Sequence, residues 1–124
     1  MTTQRNLYIL QYNLNKNRII TDSILNHPTS HEITILALQE QYWSTYNSSS
    51  LTHQSWTLVE PSSISEIQPR AVLYINKTVL LPSVFRQVPL PFSDVVAVAI
   101  HTAYKPILIV NVYNPRETNK LLHH

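Results

Sequence analysis

Three small polar clusters stand where apolar runs end, and they are the residues in this sequence best suited to chemistry. Gln11 and Asn13 close a run that begins at Leu7, Gln39 and Glu40 follow the run over residues 33–38, and Asn111, Tyr113 and Asn114 close a run that begins at Ile107. A carboxylate arriving straight after a buried segment needs a partner, a metal or a shifted pKa. The donors in these clusters are carboxylate and amide oxygens, with no cysteine and no histidine among them. Such hard oxygen donors suit magnesium, calcium or manganese rather than zinc or copper. Magnesium takes few protein ligands and keeps waters for a phosphate, so Glu40 with Asn13 fits a partial shell. Singly, each of these residues is more often a strand-end cap or turn former than a ligand. Their repetition at three strand ends is what points to a site.

The elements that must carry these clusters can be read from periodicity. Residues 7–13 are aliphatic and aromatic enough for a strand, and Leu7, Ile9, Gln11 and Asn13 fall on one of its faces. A polar turn follows, then a helix over Arg18–Asn26 with Ile20, Ile24 and Leu25 at helical spacing, stopped by Pro28. The run over 33–38 is nearly continuously apolar, as in a strand covered on both faces. Strand, helix and buried strand in quick succession predict a right-handed βαβ crossover with two parallel strands. Open parallel sheets place ligand crevices at the carboxyl ends of their strands, where the first two polar clusters fall. Residues 42–54 are polar and read as a long surface loop, and 61–69 as another. Further strands are expected at Trp56–Val59, Ala71–Asn76, 95–101 and 107–113, with Pro82, Pro89 and Pro91 punctuating the connections. The expectation is one strand-dominated α/β domain over residues 1–124.

Composition removes several alternatives. The 124 residues include no glycine, so there is no Walker loop, no dinucleotide fingerprint and no glycine-flanked nucleophile elbow. Turns needing positive φ are expected to fall to Asn and Asp. With no cysteine a disulfide scaffold is excluded, which fits an intracellular protein. No apolar run approaches the roughly 20 residues of a membrane span, and residues 1–6 lack the layout of a secretory signal. Neither a membrane nor secretion is expected. A net charge of +2 is too weak to argue for a polyanionic partner by itself. Arg5, Lys16, Arg18 and Arg70 are scattered cations that could touch phosphates.

At the polar clusters the sequence resembles a known family. Leu10-Gln11-Tyr12-Asn13-Leu14-Asn15, then Leu36-Ala37-Leu38-Gln39-Glu40, then Asn111-Val112-Tyr113-Asn114-Pro115 resemble, in order, the first three motifs of the endonuclease/exonuclease/phosphatase superfamily. Arg70-Ala71-Val72-Leu73-Tyr74-Ile75-Asn76-Lys77 looks like the branch found in fungal non-LTR retrotransposons. The resemblance implies the first half of a four-layer α/β/β/α sandwich, with a mixed sheet, a βαβ start and few helices. It implies that Glu40 ligates magnesium, with manganese as a substitute, and that Asn13 orients the metal shell and the scissile phosphate. Tyr113 would hydrogen-bond the phosphate, with Asn15, Asn114 and Arg70 as further substrate contacts. The implied reaction is metal-assisted hydrolysis of a DNA phosphodiester, and the implied compartment is the nucleus.

The family's later motifs, which supply a water-activating Asp and a transition-state His, have no counterpart before His124. Asp94 reads as a turn or cap residue, His101 as packed or exposed, and His123 and His124 as a ragged end. The chain is therefore expected to be silent alone. The both-faces-apolar runs at 95–100 and 107–110 should lie between other layers, so a half-domain is expected to self-associate, or to pair with a missing C-terminal half, through a bare sheet face. The competing expectation is a retroelement remnant that keeps the sheet without the chemistry, as an interaction or nucleic-acid-binding module.

Overall fold

In the computed structural model, which describes residues 6–63 and 68–114, the apolar runs form two stacked sheets with one helix on the outer face of the first. The chain runs β1 (Ile9–Asn13), α1 (Arg18–Asn26), β2 (Ile35–Gln39), a short hairpin of β3 (Trp43–Ser44) and β4 (Ser49–Ser50), then β5 (Trp56–Val59) and β6 (Ala71–Asn76). It continues through β7 (Phe85–Gln87), β8 (Val95–Ile100) and β9 (Ile107–Val112). The first sheet has the order β1-β2-β6-β5 and the second β7-β8-β9. Strands β1 and β2 are parallel, with Asn13 opposite Gln39, and α1 connects them; the other pairs are antiparallel. The expected α/β class and βαβ start are therefore present, with a mixed first sheet.

Two apolar layers follow from side-chain alternation. Ile35, Ala37, Leu73 and Ile75 face Val96, Val98 and Ile100 across the sheet-to-sheet interior. On the opposite face Leu36, Leu38, Val72 and Tyr74 meet Leu14, Leu25 and Trp56. Burial raises the pKa of the Tyr74 phenol well above its ordinary value, and its hydroxyl donates to the Leu51 carbonyl at 2.7 Å. Helix α1 begins where the Asn17 side chain accepts a hydrogen bond from the Ile20 amide at 3.0 Å, and its last turn is tied down by Trp56 Nε1 donating to Leu25 O at 3.0 Å. Asn17→Ala should lower stability by about 1 kcal/mol, read from the urea midpoint at unchanged slope.

Four points differ from expectation. The segment 42–54 is not one open loop, since it folds back into the β3–β4 hairpin. Strand β7 and the 3-10 turns at Pro28–Glu32 and Pro82–Val84 were not anticipated. Among the described residues left-handed backbone falls at Asn15, Lys16, Glu40 and Ser48, so only one of these four positions is Asn and none is Asp. Strand β8 is buried as expected, but β9 is not sandwiched: Leu108 is 58% exposed and Val110 45%. Strand β1 is exposed along its whole length. Arg5, Pro115, His123 and His124 lie outside the described residues.

Candidate active site

All three polar clusters converge on one rim of the sandwich, because strand polarity brings the right ends together. The carboxyl ends of β1 and β2 lie side by side. The antiparallel β6 starts beside the end of β2, with Ala71 opposite Gln39, and β8 starts beside the end of β9, with Val95 opposite Val112. Residues that precede β6 and β8 therefore join residues that follow β2 and β9.

Asn111 locks the two sheets beneath this rim. Only 2% exposed, it donates from Nδ2 to Leu38 O at 3.0 Å and Val72 O at 2.9 Å, and accepts from Gln39 Nε2 at 3.2 Å. Gln39 also donates to Val112 O at 2.7 Å. One amide thus bridges β9 to both central strands of the other sheet. Sequence reading named this cluster for Tyr113 and Asn114 and gave Asn111 no role. Its inward position opposite Val96 is what a sheet register would have disclosed.

Glu40 sits immediately past β2 with φ of 49°, an unusual conformation for a residue with a Cβ. Its amide donates to Arg70 O at 2.9 Å, and its carbonyl accepts from Lys16 N at 2.6 Å. The side chain is fixed as well, with Tyr113 Oη donating to Oε1 at 2.8 Å. Oε2 makes no hydrogen bond among the described residues. Non-glycine backbone in the left-handed region costs of order 1 kcal/mol and gathers at functional sites, where the surroundings hold it. Here the neighbouring turn is left-handed too, at Asn15 and Lys16.

The remaining candidates divide between core and rim of the site. Asn13 ends β1 on the same face as Gln39, exposed, with Oδ1 accepting from Asn15 N at 3.0 Å. Asn15 forms this turn through its backbone, and Asn114 is exposed beside Tyr113. Arg70 reaches Asp94 with two hydrogen bonds, Nε to Oδ1 at 3.1 Å and a terminal nitrogen to Oδ2 at 2.7 Å. Its guanidinium lies 4.7 Å over the Tyr113 ring. The Asp94 hydrogen bond raises the Arg70 pKa further, partly opposed by burial, so the cation is permanent. Asp94 is the turn residue before β8 that its sequence context implied, and its side chain is in addition an ion-pair partner of Arg70. His101 is exposed just past β8.

The donor set can be tested against a divalent cation. No group of three or more His, Cys, Asp or Glu suited to a metal exists among the described residues. A closed all-protein cage is therefore not what these residues offer. One oriented carboxylate with amide oxygens nearby fits a hydrated hard cation whose other ligands are water and phosphate. Among the described residues no helix is long and apolar enough to cross a membrane.

No protein-family model matches the chain, and no curated protein does. Five solved chains are similar to it in structure. Among them is the endonuclease domain of TRAS1, a telomere-specific non-LTR retrotransposon, with a TM-score of 0.62 at 16% identity. The match covers 92% of this chain and 49% of that one, so the chain spans about half the length of that domain. At this identity the likeness shows the fold, and the fold is the one the motif resemblance implied.

Proposed function

We propose that this chain, whose fold is shared with a retrotransposon endonuclease domain, forms the metal- and phosphate-binding half of a DNA-cleaving phosphodiesterase. The observation that carries the reading is Glu40, held in left-handed backbone with one carboxylate oxygen fixed by Tyr113 and the other turned away from that bond. Glu40 would hold magnesium or manganese together with the Asn13 amide oxygen. When bound, the cation would act as a Lewis acid and neutralise charge developing on the scissile phosphate. The protein groups have separate tasks. Asn13 orients the phosphate from the end of β1, Tyr113 keeps Glu40 Oε1 in place, and the exposed amides of Asn15 and Asn114 contact the DNA backbone. A DNA substrate makes the nucleus the working compartment, and the fungal branch rests on the β6 segment.

The water-activating Asp and transition-state His that the family resemblance implies have no counterpart among the described residues of this rim, which supports the reading that the chain alone is silent and gains activity by completion. Two edges fit that completion. Strand β1 ends the first sheet and β9 ends the second, and both border one cavity of about 400 Å³ lined by Ile9, Gln11, Leu108 and Val110. A second cavity of about 450 Å³ lies on the other face of β1, between Leu10 and Ile20. An added half, or another copy, would bury these residues. Exposing large aliphatic side chains forgoes roughly 1.5–3 kcal/mol each relative to full burial. Leu108→Glu with Val110→Glu should turn an associating chain into a monodisperse monomer by sedimentation velocity. A wild-type chain that is already a stable monomer at tens of micromolar would overturn the association. The alternative of a non-catalytic interaction module is favoured by this same open seam.

The direct test is manganese binding by electron paramagnetic resonance, paired with supercoiled-plasmid nicking in magnesium or EDTA. Specific manganese binding without nicking is the expected result. Absence of manganese binding overturns the metal site and leaves the interaction module. Magnesium-dependent nicking by the chain alone would keep the endonuclease and overturn its incompleteness.

A further inference from the structure

The Arg70 side chain, 34% exposed, is engaged by neighbouring protein groups, and its contacts close a ring. Glu40 N donates to Arg70 O at 2.9 Å, and the Arg70 guanidinium forks onto both oxygens of Asp94. Asp94 O accepts from Tyr113 N at 2.9 Å, and Tyr113 Oη returns to Glu40 Oε1 at 2.8 Å. The guanidinium also covers the Tyr113 ring. The ring ties together the end of β2, the start of β6, the residue before β8 and the residue after β9, which belong to different sheets.

From this ring we infer that Asp94 and Arg70 are a positioning pair that fixes Tyr113, and through its hydroxyl the orientation of the Glu40 carboxylate. The inference rests on the proposed metal-binding role of Glu40. Each member has a distinct physical task. The two-pronged contact sets the plane of the guanidinium, which a lysine ammonium could not do. The plane then sets the Tyr113 ring by cation–π stacking, while the Asp94 carbonyl sets the Tyr113 backbone. A cation over the ring face draws electron density from the phenol, which makes its O–H a better donor to a carboxylate. Glu40 Oε1 is thereby held, and Oε2 is directed without any contact from Arg70 itself. Arg70 acts on the site through Tyr113 and Asp94, and its engagement there leaves it poorly placed as a phosphate contact.

Removing partners that orient a metal ligand typically weakens metal affinity by about 10–100-fold. Asp94→Asn and Arg70→Lys are therefore each expected to weaken manganese binding by roughly tenfold, measured by electron paramagnetic resonance on the folded chain. The discriminating measurement is a double-mutant cycle. Tyr113→Phe keeps the ring and removes the hydroxyl, so Asp94→Asn should add less than about twofold in that background if it acts through the hydroxyl. A purely structural Asp94 would give the same loss in both backgrounds, which would overturn the inference. So would unchanged affinity in both single variants. A wild-type chain that binds no manganese would instead defeat the metal-site reading itself. DNA binding supplies the second arm. Arg70→Lys retains the charge, and Arg70→Gln should leave the salt dependence of DNA affinity unchanged, whereas loss of a phosphate contact would lower the slope by about one.

Discussion

Asn111→Ala should lower the stability of this chain by about 2–4 kcal/mol, because it removes both hydrogen bonds that tie β9 to Leu38 O and Val72 O and leaves a gap between the sheets. Each such hydrogen bond contributes about 0.5–1.5 kcal/mol net. Gln39 Nε2 would also lose one of its two acceptors. Against a typical domain stability of about 5–15 kcal/mol, one side chain then decides whether the two sheets stay registered. Asn111→Asp sharpens the test, since it keeps the shape and replaces the donor by a carboxylate facing Leu38 O and Val72 O. Burial would raise that carboxyl's pKa above its unfolded value, so stability is greatest at low pH and is lost as pH rises through the folded pKa. Urea titrations of both variants across pH 4–8 measure this. A loss below about 1 kcal/mol for Asn111→Ala would show that the bridge is incidental.

That bridge also explains why the site was only partly legible in sequence. Strand identity comes from local pattern, and local pattern placed β5, β6 and α1 within the observed bounds of each. Glu40 and Asn13 were visible because each follows an apolar run, and strand polarity then carries both to one rim. Pairings between distant residues have no local signature. Asp94 lies 24 residues from Arg70, and only the stacking of one sheet on the other brings them together. Strand β7 was invisible for a different reason: three residues between Pro82 and Pro89 carry too little periodicity to distinguish from a connection. The exposure of β9 could not be read either, since an apolar run reports what a strand can tolerate and not what covers it.

Positive φ separates what the fold needs from what the site needs, and Glu40 is where the two conflict. Glu40→Gln keeps the side chain's shape and removes its charge, so manganese affinity should fall by roughly a hundredfold or more, beyond the range for residues that only support a ligand. Stability should change by no more than about 0.5 kcal/mol, since Glu40 is partly exposed and makes no ion pair among the described residues. Glu40→Gly reverses the sign of the second effect. Glycine adopts φ near 50° without the Cβ penalty, so this variant should hold its stability or gain up to about 1 kcal/mol while losing the metal. Opposite movements of stability and binding from one substitution are expected of a residue kept for chemistry at the fold's expense. A Glu40→Gly chain that is markedly less stable would mean instead that the Tyr113 contact and the flanking backbone bonds serve the fold. Calorimetric manganese titration and urea unfolding on the same samples separate the two.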